Sequence, residues 1–222
     1  MYGTPHIVSD VMTHTVAAVG SQAGFKEIVQ LMQDWQISAL PVIEGEGRVV
    51  GVVSEADLLP KEELRDDPDV AYLQLRKPVD VAKADALRAG DLMSSPAVTI
   101  RADATLAEAA RVMAREGVKR MPVVDDAGLL AGVVSRADLL KVFLRGDDKI
   151  AEEVRRETVS YLFPPPSAIQ VEVHDGVATL TGVIHDTAMV PIAARLVRSV
   201  EGVVDVQFDL AHKTATQRET AE

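Results

Sequence analysis

The sequence predicts a mixed α/β and α+β chain. Two β-α-β-β-α repeats pack as a pseudo-twofold module, and a small α-β-β-α-β domain follows. Three observations carry this. Sliding the sequence by 81 positions lays Asp10–Leu59 on Asp91–Leu140 without a gap. Within each copy, a helical apolar stripe leads into two apolar runs separated by an acidic, glycine-bearing turn. Beyond Leu140 the repeat stops, and a period-two hairpin around Asp175-Gly176 takes over. Two copies of a roughly 50-residue unit are too few for a solenoid, so the halves are expected to bury each other's apolar faces, with a cleft between them.

Each repeat follows one order. Ala17–Val19 and Val98–Ile100 are short β-prone runs. Phe25, Ile28, Val29 and Met32, and again Leu106, Ala109, Ala110 and Met113, fall at i, i+3, i+4, i+7, the apolar stripe of an amphipathic helix. Gly117 suits a helix C-cap, where the first copy carries Gln36. The runs Ala39–Ile43 with Val49–Val53, and Met121–Val124 with Leu129–Val134, predict hairpins joined by Glu44–Gly47 and Asp125–Gly128. Their continuous apolar character predicts strands covered on both faces. Ser54 and Ser135 then open short helices carrying Asp57 and Asp138.

Composition narrows the function. Apolar residues make up 47%, enough for an ordinary core, and there is no cysteine, which removes disulfides, thiolate metal sites and cysteine nucleophiles. The formal charge of −11 opposes binding to nucleic-acid backbones and to anionic lipid. The opening Met-Tyr-Gly-Thr-Pro-His has neither a basic nor an apolar leader region, and no apolar run is long enough to span a bilayer, so a cytoplasmic location is expected. Gly45–Gly51 lacks the spacing of a dinucleotide-binding loop and sits between strands, so it predicts a turn. His6, His14, His174, His185 and His212 have no ligand spacing, and no nucleophile–base motif is visible; no enzyme activity and no metal are expected.

The phrases Ile37-Ser38-Ala39-Leu40-Pro41-Val42 with Gly51-Val52-Val53-Ser54-Glu55-Ala56-Asp57, and Val118-Lys119-Arg120-Met121-Pro122-Val123 with Gly132-Val133-Val134-Ser135-Arg136-Ala137-Asp138, closely resemble the cystathionine-β-synthase (CBS) domain. The resemblance covers both copies. It implies a tandem pair that binds an adenine nucleotide or other adenosyl compound between repeats and often pairs into a flat homodimer.

Two readings of Ser-x-x-Asp remain open. One is a capping box, in which serine and aspartate satisfy the helix start. The other adds a ligand: the helix N-terminus meets a phosphate, and the resemblance implies that Asp57 or Asp138 holds the ribose hydroxyls. Adenine would then lie against Ile37, Leu40 and Pro41, or Val118, Met121 and Pro122. The second copy carries Lys119, Arg120 and Arg136, where the first has Ser38, Ala39 and Glu55. It also carries Thr99 against Ala18. Cations favour phosphate, so the second cleft, with Ser135 and Asp138, is expected to be the stronger site, and Ser54 and Asp57 mark the weaker one. Lys119 and Arg120 read equally well as a solvated hairpin edge.

The domains are expected at 8–60 and 90–146 for the repeats, 61–89 for a charged connector, 147–212 for the C-terminal domain, and 213–222 for a polar tail. Pro60–Asp69 reads as solvated, and Asp80–Arg88 resumes helical character with Val81, Ala84 and Leu87 on one side. Lys149–Leu162 predicts a helix ended by Pro164–Pro166; Ile169–Val173 and Val177–Thr181 a hairpin; Thr187–Val200 a helix with Ile192, Ala193, Leu196 and Val200 inward; Val203–Leu210 a strand. Val173-His174-Asp175-Gly176-Val177-Ala178-Thr179-Leu180-Thr181-Gly182-Val183 and Glu201-Gly202-Val203 look like a BON domain. That resemblance implies envelope, lipid or protein attachment. Contact with a protein partner is preferred, and membrane contact is the less favoured alternative.

The expected function is regulatory: AMP, ADP, ATP or another adenosyl compound, bound between repeats, alters homodimer packing or the BON domain. Trp35, Leu59 and Leu140 mark the expected dimer edge, and Gly146 the hinge. No cofactor is required. The rival is a BON-led lipid- or protein-binding adaptor with a merely structural CBS pair.

Overall fold

The computed structural model describes residues 6–64, 78–184 and 186–212. The chain divides into two compact units, one over His6–Leu139 and one that begins at Leu140.

The first unit opens with α1 (Val8–Val11), then β1 (Val19–Gly20), α2 (Phe25–Asp34), β2 (Ala39–Glu44), β3 (Arg48–Ser54) and α3 (Glu55–Leu58). The connecting segment holds α4 (Pro60–Glu63) and α5 (Pro78–Asp85). The second repeat runs α6 (Ala89–Leu92), β4 (Ile100–Arg101), α7 (Leu106–Glu116), β5 (Arg120–Val124), β6 (Leu130–Ser135) and α8 (Arg136–Leu140). In both sheets the first strand is parallel to the second, and the second antiparallel to the third. Both hairpins slip register at matching points, Val42/Ile43 and Val123/Val124.

The repeats exchange their leading segments. Thr13 pairs with Val133 of the second sheet, and its counterpart Ser94 pairs with Val52 of the first. Ile7 likewise meets Thr105, and Arg88 meets Gly24. Val8 N donates to the Ala104 carbonyl at 2.8 Å, and Ala89 N to that of Ala23 at 2.9 Å. At the centre, Val49 N donates to Gly128 O (3.3 Å) and Leu130 N to Gly47 O (2.9 Å), a pair related by the same pseudo-twofold. Ala86, Ala89 and Leu92 thus complete the core of the first repeat, around Ile28, Leu40, Val42 and Val53.

This exchange explains two repeated features of the sequence. A Cβ on Gly51 would lie 2.3 Å from the Met93 sulfur, and one on Gly132 would lie 2.7 Å from that of Met12. Each methionine packs across a glycine of the opposite repeat, so the two residue types recur together.

Several local expectations are corrected. Val29 and its counterpart Ala110 are exposed; the buried helix faces are Ile28 and Met32, and Leu106, Ala109 and Met113. Trp35 caps α2 half-exposed. Pro60 is buried at the start of α4, whereas Glu62 and Glu63 are exposed; the stretch from Arg65 to Lys77 lies outside the described residues. Val81, Ala84 and Leu87 do not form one buried side: Val81 on α5 and Leu87 just after it are exposed, Ala84 is half-buried, and Lys83 is buried.

The second unit begins with a 3-10 turn (Lys141–Leu144), then α9 (Asp147–Val154), a wide π turn (Arg155–Val159) and α10 (Ser160–Leu162). The single predicted helix is therefore broken once by a wider turn. Strands β7 (Ile169–His174) and β8 (Val177–Ile184) form the hairpin, with Asp175 and Gly176 both at positive φ. The Asp147 carboxylate accepts from both turn amides at 2.9 Å. Helix α11 (Met189–Ser199) leads to β9 (Asp205–His212), which lies parallel to β8. Ala193, Val197 and Val200 face the core, whereas Ile192 is exposed, so the buried face is rotated from the predicted one.

The expected hinge at Gly146 is not where the unit begins. Arg145 donates to the Glu201 carbonyl (2.6 Å) and to the Glu153 carboxylate (2.5 Å), which ties Arg145 and Gly146 into the C-terminal unit. Gly146 has an ordinary φ of −65 and precedes α9.

Candidate functional site

The exchanged edges leave a cleft of about 380 Å³ within the first unit. The first repeat brings Ser38, Ala39 and Ser54–Asp57 to it; the second brings Ser94, Pro96–Val98 and Gly117–Arg120. Shifting by 81 residues maps this arrangement onto a counterpart built around Ser135, Arg136 and Asp138, with Thr13, Thr15–Ala17 and Gln36–Ala39.

The Ser-x-x-Asp elements take the geometry of reciprocal caps. Asp57 Oδ2 accepts from Ser54 N at 2.8 Å and Ser54 Oγ at 2.7 Å. Asp138 Oδ2 accepts from Ser135 N at 2.9 Å and Ser135 Oγ at 2.6 Å. The capping reading therefore describes both copies, with each aspartate held at a cleft wall. Lys83 Nζ forms an ion pair with Asp57 Oδ1, and Ser94 Oγ donates to the same oxygen at 3.4 Å.

The helix starts are less open to a phosphate than the sequence implied. Glu55 N donates to the Ser38 carbonyl at 3.1 Å, and Arg136 N to that of Lys119 at 3.0 Å. Helices α3 and α8 are also only four and five residues long, so little dipole builds up. Positive charge comes instead from side chains. Lys119 is exposed and Arg120 half-buried at the cleft, and Arg120 Nη2 donates to Ser38 Oγ across the repeats at 2.8 Å. Arg136 Nε donates to the Val118 carbonyl at 3.2 Å, tying the entry of β5 to α8.

Of the candidate residues, Ala39, Ser54, Asp57, Val118, Lys119 and Arg120 meet in this one cleft. Leu40, Pro41, Met121 and Pro122 do not. They are buried, because β2 and β5 are central strands covered on both faces, and they cannot offer an edge to a base. Ile37 packs half-buried against the first core. Thr99 lines a separate, open depression of about 640 Å³ between β4 and α7. There Asp103 and Asp126 hold the Arg101 guanidinium above its ordinary pKa, and the hydrogen bond from Arg101 holds the Asp103 carboxyl below its own.

Sequence reasoning missed Ser94 and Pro96–Val98, which approach the cleft ahead of β4, and it missed Lys83. The first group had a signal, since its counterparts Thr13 and Thr15–Ala17 stand just ahead of β1; Lys83 had none. Among the described residues, no helix is long and apolar enough to cross a membrane, and no group of three or more metal-ligating side chains is present.

Two three-stranded sheets related by an exchanged edge, with paired Ser-x-x-Asp elements at their clefts, define a tandem CBS-type module. The chain belongs to the CBS-domain family: the CBS domain model matches 8–61 and 89–145, and the BON domain model matches 146–211. An uncharacterized protein of Methanocaldococcus jannaschii is 27% identical over 154 residues, covering 62% of this chain and 91% of that protein. The chloroplastic CBS domain-containing protein CBSX2 of Arabidopsis thaliana is 28% identical over 168 residues, covering 69% of this chain and 66% of CBSX2. The crystal structure of CBSX2 in complex with AMP matches with a TM-score of 0.55 at 27% identity, over 63% of this chain and 97% of that one.

Proposed function

We propose that the paired repeats bind an adenine nucleotide and that occupancy is the regulatory signal this protein carries. One observation carries the reading: a carboxylate and hydroxyl from one repeat, Asp57 and Ser54, share a cleft with two cations from the other, Lys119 and Arg120. A nucleoside phosphate presents a diol that donates hydrogen bonds and a phosphate that accepts them from cations. Pro96, Ala97 and Val98 offer the apolar edge for the base. The likeness to CBSX2, whose structure holds AMP, supports the ligand class.

The counterpart cleft with Asp138 and Ser135 has Ser38 and Ala39 where this one has Lys119 and Arg120, but Arg136 where this one has Glu55. We expect it to fill first because its helix opens on a cation rather than on a carboxylate that repels a phosphate. Calorimetry with AMP tests both points. Asp138→Ala should weaken binding more than Asp57→Ala. At the Asp57 cleft, Lys119→Ala should cost about tenfold for AMP, the roughly 1.4 kcal/mol of one charge-assisted contact, and little for adenosine. Wild-type protein that binds no member of a panel of AMP, ADP, ATP and adenosyl compounds refutes the reading.

The signal leaves through packing of a homodimer or through a protein partner of the BON domain. Trp35 and Leu59 are large apolar side chains exposed on the first unit, as such an edge requires. Light scattering should give a dimer mass at micromolar concentration.

A further inference from the structure

Lys83 is an unusual residue for its position. It lies on α5, outside both repeats, with its side chain 9% exposed, while Val81 on the same helix stays at the surface. Lysine is rarely buried without a partner. Its partner is Asp57, itself only 12% exposed. Helix α5 is tethered independently, since Lys61 Nζ donates to the Ala84 carbonyl at 2.6 Å.

The hydrogen-bond inventory of Asp57 decides what this means. An ionised carboxylate offers about four lone-pair sites. Ser54 N and Ser54 Oγ take those of Oδ2, and Lys83 Nζ and Ser94 Oγ take those of Oδ1. A sugar diol needs two acceptors, and here all are engaged. Ser54 cannot leave without undoing the start of α3, and the Ser94 hydroxyl, at 3.4 Å, can rotate away but frees only one of the two acceptors a diol needs. Lys83 is the donor that can leave, because its long stem can carry the ammonium to water.

We propose that Lys83 is a latch on the Asp57 cleft: an internal occupant that a diol-bearing ligand must displace, so that filling this cleft turns the Lys83 ammonium out to water. The proposal rests on the adenine-nucleotide reading above and adds a regulation to it. Free ligand sees only the fraction of molecules in which Lys83 is off the carboxylate, and its apparent affinity falls by that fraction.

The experiment uses the full chain carrying Asp138→Asn, so that AMP binding reports the Asp57 cleft. Adding Lys83→Met, which keeps the stem and removes the charge, should tighten AMP about tenfold. Lys83→Arg should leave affinity near that of the parent, and adding Asp57→Asn should abolish the gain. In wild-type protein, acylation of Lys83 by a water-soluble amine reagent, read by mass spectrometry, should be slow without ligand and faster with AMP. If wild-type protein binds AMP but Lys83→Met brings no gain, the latch is wrong and the nucleotide reading stands. If Lys83 in ligand-free protein reacts as fast as surface lysines, the latch is wrong as well. If neither wild-type nor Lys83→Met protein binds AMP, both fall. Should Lys83→Met fail to fold by circular dichroism, the acylation rates on wild-type protein decide.

Discussion

Gln36 makes the turn after helix α2 with φ 51, and Gly117 makes that after helix α7 with φ 69. The same left-handed turn is made by a strained residue in one repeat and an unstrained one in the other. The cleft residues diverge further, with Ser38 and Ala39 against Lys119 and Arg120, and Glu55 against Arg136. The exchanged contacts do not diverge: Met12 and Met93, Gly51 and Gly132, and the bridges at Thr13 and Ser94 all keep their roles. Positions that hold the two halves together are constrained twice, by their own sheet and by the opposite one. Cleft positions outside the Ser-x-x-Asp caps are not held in this way, and there the repeats have become different sites.

The exchange can be broken at its most buried point. Leu92 is fully buried in the core of the first repeat, while its counterpart Val11 is only half-buried. Leu92→Ala should cost about 2–5 kcal/mol in urea unfolding, and Val11→Ala clearly less. Equal costs would mean that the two exchanged segments are equivalent.

Gly132→Val should cost about 1–3 kcal/mol by overpacking, and more than Gly51→Val. The Gly132 Cβ would meet the Thr13 carbonyl oxygen at 2.9 Å, a backbone atom already accepting from Val133 N, whereas the atoms near Gly51 belong to the flexible Met93 side chain. Denaturant midpoints of the two variants give the order directly.

The helix ends should respond in opposite directions. Gln36→Gly should stabilise by up to about 1 kcal/mol through relief of left-handed strain, and Gly117→Ala should destabilise by about as much. Thermal unfolding of both single variants checks the signs.

The smallest effect concerns charge. Arg101, Asp103 and Asp126 form an exposed ion-pair turn in the second repeat, where the first has Gly20, Gln22 and Gly45. Arg101 depresses the Asp103 pKa. The carboxylate therefore adds stability above its unfolded pKa, about 3.9, and that contribution disappears as pH falls through the lower folded value. Arg101→Ala should therefore lower stability slightly at pH 7, where the Asp103 carboxylate is charged, and less at low pH, where protonation has already removed the contribution; the effect is small because exposed pairs are screened. Unfolding midpoints at pH 3 and pH 7 would show the difference.

Much of the fold is legible in the residues themselves. The 81-residue shift, the Pro-Val strand entries, the Asp175-Gly176 turn and the serine caps are local signals, and the structure carries them out locally. The candidate site is legible only in part. Lys119 and Arg120 stand out as cations at strand entries, and they do line a cleft, but the one with Asp57 of the other repeat and not the expected one with Asp138 of their own. Leu40 and Met121 looked like base-binding edges because continuous apolar strands do not say which residues reach the surface.

The sequence alone determined the repeat, its strand and helix order, and the positions of both Ser-x-x-Asp caps. These depend on periodicity and on partners at most a few residues away. Only the tertiary structure decided that α1 and α6 change places, that Ser94 and Pro96–Val98 complete the cleft, and that Lys83 is buried on Asp57. Those contacts join residues far apart in the chain, from 26 positions for Lys83 and Asp57 to some eighty or more across the repeats. Local pattern carries no information about such contacts. They are selected by the burial of one repeat's apolar face against the other, and by the need to pair a charge once it has left water.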